Sequence, residues 1–124
     1  MKLENYITGN WVTGDGDGQQ LYNAVTGEPL ASATTKGLDF KQILDYGRTV
    51  GNPALRKMTF HERGNMLKAL ALHLRNHLDA FYAISYKTGA TRADSWVDIE
   101  GGIGNFFANA SLRRKFPNEI FCVD

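Results

Sequence analysis

A change in hydrophobic periodicity near Leu38 constrains the fold of this 124-residue chain more than any other feature. Before it, short apolar segments alternate with turn residues, which is the pattern of β-strands joined by tight turns. After it, apolar residues recur at spacings of three and four, the pattern of amphipathic helices. The sequence therefore predicts an antiparallel β layer over residues 1–35, followed by a helical part over residues 38–116.

The β layer is predicted to hold four short strands. Residues 6–8 and 11–13 flank Gly9-Asn10, a two-residue hairpin signal. Residues 21–24 and 29–33 are joined by a turn that ends in Gly27-Glu28. We expect two hairpins within one small layer.

Three amphipathic helices are predicted after the β layer. The first ends at residues 51–53, because proline cannot continue a helix. The second begins at a capping box of Thr59 and Glu62 and runs out at residues 88–89. The third begins in the same way at Thr91 and Asp94 and closes at residues 116–117. Their apolar stripes are, in order, Phe40, Ile43, Leu44, Gly47 and Val50; Leu67, Leu70, Leu74, Leu78 and Phe81; and Trp96, Ile99, Ile103, Phe106 and Ala110.

The three helical stripes need a larger apolar surface than four short strands offer. Residues 121–124 also look like the start of another strand. We therefore expect residues 1–124 to be the N-terminal part of a longer chain.

Composition and charge argue against several classes of protein. Fourteen Lys and Arg against thirteen Asp and Glu give a net charge of +1, so nothing favours nucleic acid or an anionic membrane as a partner. No apolar run approaches the ~20 residues of a membrane span, and no apolar stretch follows Lys2 as in a signal peptide. The single cysteine, Cys122, cannot form an internal disulfide. We expect a cytoplasmic protein.

Two motifs suggest ligand binding, and each has a simpler interpretation. Residues 101–104, Gly-Gly-Ile-Gly, resemble a nucleotide loop, but Phe107 stands where the last glycine of the fingerprint is needed and no strand precedes the run. We favour a helix whose glycines let a neighbour or ligand approach closely. His73 and His77 are four residues apart, as metal ligands on a helix are, yet no third ligand accompanies them. We favour two solvent-exposed histidines and predict no metal site.

Other candidate residues are also better explained by structure than by chemistry. Asp15 and Asp17 hint at a calcium loop, but the later ligand positions are wrong, so a solvated turn is favoured. Cys122 is favoured as a small buried hydrophobe over a nucleophile. The basic run at residues 113–115 fits the dipole of a helix C-terminus better than a phosphate site. Asp94, Asp98 and Glu100 cannot all share one helix face, so a carboxylate pair for acid–base chemistry is not favoured.

The order of these motifs resembles the N-terminal end of the aldehyde dehydrogenase superfamily. Residues 6–12 look like the family's opening hairpin, and residues 23–28 look like its Asn-Pro-x-Thr-Gly-Glu turn, with Ala24 in place of proline. Residues 58–63 look like a helix start of that family. The resemblance implies an α/β fold of the aldehyde dehydrogenase kind and covers residues 5–116.

Two stretches are similar to a narrower group. Residues 52–60 and 87–104 look like the dehydrogenase half of the bifunctional ring-opening enzymes of bacterial phenylacetate degradation. A dehydrogenase for a CoA-linked semialdehyde in benzoate degradation is a close relative and stays open as the alternative. The resemblance implies a parent enzyme that oxidises a CoA-linked aldehyde with NADP or NAD and assembles as a homo-oligomer from dimers.

The resemblance assigns no catalytic, cofactor-binding or metal-binding residue to these 124 residues. In the superfamily a cysteine thiolate attacks the aldehyde, hydride passes to the nicotinamide, and a glutamate-activated water hydrolyses the thioester. The motifs for these steps lie downstream of the matched region, and so does the hydratase part of the bifunctional enzymes. We expect the segment alone to be inactive, and a stand-alone, non-catalytic helical interaction module is the alternative function.

One role is implied by the resemblance. The third helix is similar to the helix that lines the aldehyde tunnel in the superfamily. On that match, residues spaced three and four apart would face the substrate, and glycine would widen the tunnel for a CoA-linked tail. The predicted tunnel residues are Ile99, Gly102, Ile103 and Phe106.

Overall fold

A computed structural model describes residues 1–122 and divides the chain into two compact units, the first comprising Met1–Pro53 and the second beginning at Ala54. The first unit contains all four strands, and the second contains the three longest helices. The α/β character predicted from the periodicity is therefore present, with strands before residue 35 and helices after it.

The strands of the first unit form two separate two-stranded antiparallel sheets, not the single layer predicted from the sequence. Strand β1 (Asn5–Ile7) pairs with β2 (Asn10–Val12), and β3 (Gln19–Tyr22) pairs with β4 (Pro29–Ala33). Of the predicted boundaries, those of β4 are confirmed. Strand β3 ends earlier than predicted because the side chain of Asn23 accepts hydrogen bonds from the turn that follows.

The first hairpin turns one residue earlier than its sequence signal suggests. Ile7 pairs with Asn10, so the two loop residues are Thr8 and Gly9. Both have positive φ, 49° and 86°. A two-residue turn with positive φ at both positions matches the right-handed twist of the strands that it joins. Because the hairpin requires this turn, Thr8 adopts a backbone conformation that is rare for threonine.

Helical structure in the first unit continues past the predicted stop. Helix α1 (Phe40–Tyr46) leads into a π-helical turn (Gly47–Gly51) and then into α2 (Asn52–Arg56). The predicted end at residues 51–53 is therefore wrong. The π turn closes with a hydrogen bond from the Asn52 amide to the Gly47 carbonyl, and Pro53 then stands in the first turn of α2, where its missing N–H costs nothing.

The second unit is a cluster of three helices. Helix α3 (Phe60–Arg75), α4 (Leu78–Tyr86) and α5 (Arg92–Ser111) are followed by a short 3₁₀ segment (Leu112–Lys115). The sequence predicted α3 and α4 as one helix, which is wrong because the chain leaves helical geometry at His77, whose φ and ψ are −117° and 17°. Both predicted capping boxes, at Thr59 with Glu62 and at Thr91 with Asp94, are present.

The core of the second unit lies between α3 and α5. Ala71 of α3 and Ile103 and Ala110 of α5 are buried, and so is Gly64 of α3. A Cβ added at Gly64 would lie 2.8 Å from both Cβ and Cδ of Arg113 and 3.0 Å from the Ala110 carbonyl oxygen. The close approach of the two helices therefore requires glycine at this position.

Candidate functional site

The second unit contains a cavity of about 410 Å³ whose walls come from α3, α4 and α5. Most of the lining side chains are apolar, which is typical of a pocket for an organic ligand. The lining residues are Leu74 of α3; Phe81, Ile84 and Ser85 of α4; Thr88 just after it; and Asp98, Ile99, Gly102, Ile103 and Phe106 of α5.

All four residues that the resemblance placed in a substrate tunnel line this one cavity. Ile99, Gly102, Ile103 and Phe106 recur every three or four positions along α5, so they share one face of the helix. Ile103 is 5% exposed, and the other three are half-buried at the cavity wall. The geometry thus brings the predicted set together, while their part in binding substrate stays a prediction.

Gly102 leaves open space in the wall of the cavity. A Cβ built at Gly102 meets no atom within 4 Å, and the same holds for Gly101 and Gly104. The glycine run lies inside α5, so the favoured interpretation of residues 101–104 as helical is confirmed. Helix–helix packing within the unit does not explain these glycines, because nothing occupies the space that a side chain would fill.

A second cavity of about 720 Å³ lies along α5 and shares Asp98 and Gly102 with the first. Its other lining residues are Asp94, Val97, Gly101 and Asn105. Gly102 therefore stands at the boundary between an apolar cavity and a more polar one, and a larger side chain there would narrow both.

Polar contacts between α4 and α5 fix the walls of the first cavity. Ser95 is fully buried, and its hydroxyl lies 2.9 Å from that of Ser85. The Tyr82 hydroxyl donates a hydrogen bond of 2.9 Å to the Glu100 carboxylate. Partial removal from water and the neighbouring Glu100 carboxylate raise the pKa of Tyr82. These two pairs hold the helices that carry the cavity wall at a set distance.

The sequence predicted the cavity residues of α5 that lie in the tunnel set, and some of those on the other two helices. Leu74 and Phe81 belong to the predicted apolar stripe of the second helix, although no functional role was given to them. Ile84, Ser85 and Thr88 were missed. Ile84 and Ser85 lie three and four residues after Phe81, so extending that stripe by one turn is the signal that would have found them.

Of the remaining candidate residues, Asp98 lines the first cavity and the others lie apart from it. Asp15 and Asp17 are exposed in the loop of residues 14–18, whose sequence is Gly-Asp-Gly-Asp-Gly. The Arg113 side chain donates to the Ala110 carbonyl oxygen at 2.7 Å, which confirms its role at a helix C-terminus. Glu100 is engaged with Tyr82 and Asp94 with its capping box, so these acids do not form a catalytic pair.

The prediction that Cys122 is a buried hydrophobe is wrong, because the thiol is exposed. The segment before it follows the surface at the start of α3, where the Phe60 amide donates to the Glu119 carbonyl oxygen and the Phe116 ring stacks on Phe60. The neighbouring Phe121 is 63% exposed. Phe121 and Cys122 are not in a strand, and residues 123 and 124 of the predicted strand lie outside the described residues.

His73 and His77 are exposed and lie close together, with ring centroids 4.7 Å apart. Within residues 1–122, no group of three or more His, Cys, Asp or Glu side chains is placed to hold one metal ion. In the same part of the chain, no helix is both long and apolar enough to cross a membrane.

Comparison with known proteins gives one informative match. The chain is 38% identical over 104 residues to a 3,4-dehydroadipyl-CoA semialdehyde dehydrogenase from Aromatoleum evansii. The match covers 83% of this chain but only 20% of the relative, so the chain spans about a fifth of that protein's length. No protein-family model matches the chain.

Proposed function

Because the chain is an aldehyde dehydrogenase-like segment, we propose that it forms part of an NAD(P)-dependent enzyme that oxidises a CoA-linked semialdehyde to the acid. The observation that carries this proposal is the 38% identity to a relative whose name specifies a CoA-linked semialdehyde as substrate. The placement of all four expected tunnel residues around one apolar cavity supports it.

Within the proposed enzyme, this segment supplies walls of the aldehyde site. The apolar side chains of Ile99, Ile103 and Phe106 would exclude water from the aldehyde-bearing chain of the substrate. The open space beside Gly102 would admit a tail that a larger side chain would block. The segment would thus position the substrate and would not carry out the chemistry.

Nicotinamide binding is proposed for a different part of the enzyme. The residues described here do not fit a dinucleotide: residues 101–104 lie within a helix, and Phe107 occupies the position of the last fingerprint glycine. We expect residues 1–124 alone to have no dehydrogenase activity.

The narrower features of the proposal rest on sequence resemblance. Phenylacetate degradation as the pathway rests on residues 52–60 and 87–104, with the benzoate-type dehydrogenase as the alternative. A cytoplasmic location fits a chain with one cysteine. Assembly as a homo-oligomer built from dimers is also part of the proposal, and it would cover some of the apolar side chains exposed in this segment.

The substitution Gly102→Leu in the proposed full-length enzyme tests the tunnel. We expect kcat/KM for the CoA-linked semialdehyde to fall at least about tenfold, because the leucine side chain enters the cavity. Gly101→Leu is the matched control, since Gly101 lines only the second cavity and should leave this value much closer to that of the wild type. Unchanged kinetics in Gly102→Leu would show that the tunnel assignment is wrong.

A further inference from the structure

His73 and His77 lie at the junction of α3 and α4, outside the cavity described above. His73 is in the last turn of α3, and His77 is the residue before α4. Both side chains are exposed, so neither is needed for packing. Their proximity, with 4.7 Å between ring centroids and 56° between ring planes, is not explained by the proposed function.

The separation of the two rings matches that of two imidazoles bound to one metal ion. A metal–nitrogen bond of about 2.0–2.1 Å places the centroid of an imidazole ring about 3.2 Å from the metal. If the two metal–nitrogen bonds make an angle of about 90–110° at the metal, the ring centroids are about 4.5–5.2 Å apart. Such angles are those of adjacent ligands in square-planar, octahedral or tetrahedral coordination. The observed 4.7 Å lies within this range.

The end of α3 contributes the partial negative charge of the helix dipole, which attracts a cation, and the positive charge of Arg75 in the same turn opposes it. The C-terminal end of a helix carries partial negative charge from carbonyl groups that lack partners within the helix. Helix α3 has 16 residues and ends at Arg75, between the two histidines in sequence. A divalent ion held by both rings would therefore lie near the negative end of this dipole.

We propose that His73 and His77 bind a divalent transition-metal ion of the Cu²⁺ and Ni²⁺ class, with water completing the coordination. Imidazole nitrogen suits these ions and not Mg²⁺ or Ca²⁺, which require oxygen ligands. Since residues 1–122 offer no group of three metal-binding side chains, the site has two protein ligands and is open to solvent. An open site of this kind exchanges its ion readily and does not depend on the proposed dehydrogenase function.

The test is calorimetric titration of the 124-residue chain with NiCl₂ and, separately, with CuSO₄ and MgCl₂. All titrations use chains that carry Cys122→Ser, because the exposed thiol would itself bind these ions and reduce Cu²⁺. We expect one ion per chain, tighter binding of Cu²⁺ than of Ni²⁺, and no binding of Mg²⁺. His73→Asn and His77→Asn should each weaken Ni²⁺ binding by at least about tenfold, because the second imidazole no longer binds intramolecularly.

His61→Asn is the matched control. His61 is the third histidine of the chain, and its Nε2 lies 3.1 Å from the Phe116 carbonyl oxygen at the other end of α3. This variant should bind Ni²⁺ as the wild type does. Equal affinity in His73→Asn and the wild type, or an equal loss in His61→Asn, would overturn the proposal.

Spectroscopy of the Cys122→Ser chain provides a test that needs no histidine variant. Electron paramagnetic resonance of the Cu²⁺-loaded chain should show coupling of the copper to imidazole nitrogens from two rings. Coupling to one imidazole, or to none, would contradict a shared site at His73 and His77.

Discussion

Replacing Gly64 by alanine should destabilise the chain although alanine is the better helix former. In an exposed helix position, Gly→Ala stabilises by about 1 kcal/mol. At Gly64 the new Cβ would lie 2.8 Å from Cβ of Arg113 and 3.0 Å from the Ala110 carbonyl oxygen. Neither atom is the free end of a flexible side chain, so α3 and the end of α5 must separate.

The expected size follows from these two opposing effects. Overpacking costs about 1–3 kcal/mol, and contacts this short with a Cβ and a carbonyl oxygen place Gly64→Ala in the upper part of that range. After the gain of about 1 kcal/mol in helix propensity, the variant should be less stable by about 1–2 kcal/mol. Gly104→Ala is the matched control, because it lies in α5 and its Cβ would meet no atom within 4 Å. That variant should be more stable by about 0.5–1 kcal/mol.

Urea unfolding of the wild type and both variants, followed by far-ultraviolet circular dichroism, measures these free energies. The two substitutions make the same chemical change in helices, so their opposite signs isolate the close contact at Gly64. If Gly64→Ala were as stable as the wild type or more so, the described packing of α3 against Arg113 and Ala110 would be refuted.

Further predictions concern the start of α5 and its contact with α4. Thr91→Ala removes the hydroxyl that accepts from the Asp94 amide and should cost about 1 kcal/mol in the same unfolding experiment. Hydrogen bonds from the Thr91 hydroxyl and amide hold the pKa of Asp94 below its ordinary value. The Asp94 carboxylate therefore stabilises the folded chain fully above about pH 4, and this contribution is lost as pH falls through the lower folded-state pKa. Unfolding midpoints measured against pH should show this acid-dependent loss, and a curve for Asp94→Asn that falls equally would contradict it. Tyr82→Phe removes the hydrogen bond to Glu100 and should lower the melting temperature by a few degrees. The pKa of Tyr82 is raised in the folded chain, so the stability that this group contributes is present below about pH 10 and is lost as pH rises through the folded-state pKa. Ultraviolet titration of the wild type should show one tyrosine that ionises later than the others, and this tyrosine should be missing in Tyr82→Phe. If the late-ionising tyrosine were still present in Tyr82→Phe, the contact with Glu100 would be contradicted.

Local signals in the sequence predicted the features that depend on neighbouring residues. A threonine followed three residues later by an acid fixes a helix start through reciprocal hydrogen bonds, and both such starts are present, at Thr59 and Thr91. The spacing of Ile99, Gly102, Ile103 and Phe106 predicted only that they share one face of a helix. The resemblance to the superfamily implied that this face borders a tunnel, and the four residues do line one cavity.

Features that depend on distant residues or on exact register were not predictable in the same way. The break at His77 interrupts an apolar stripe that continues from Leu74 to Phe81, so periodicity alone gave no sign of it. The π-helical turn before Pro53 lets helical structure continue where proline was expected to end it. The requirement for glycine at position 64 arises from contact with Arg113, almost fifty residues later in the chain, which no local pattern reports.

The burial of Ser95 also depends on a distant residue. Ser95 was not predicted to be buried, because a serine in the first turn of a helix is usually solvated. It is accommodated only because the Ser85 hydroxyl of another helix lies 2.9 Å away. The hydrogen bond between the Ser85 and Ser95 hydroxyls therefore allows Ser95 to be buried.

The coding DNA that follows the codon for Asp124 tests the central claim most directly. If the chain is a substrate-positioning segment of an aldehyde dehydrogenase, the reading frame continues and encodes a nucleotide-binding strand, a cysteine nucleophile and a glutamate base. A stop codon at that point would contradict a role in such an enzyme and would favour a stand-alone helical interaction module.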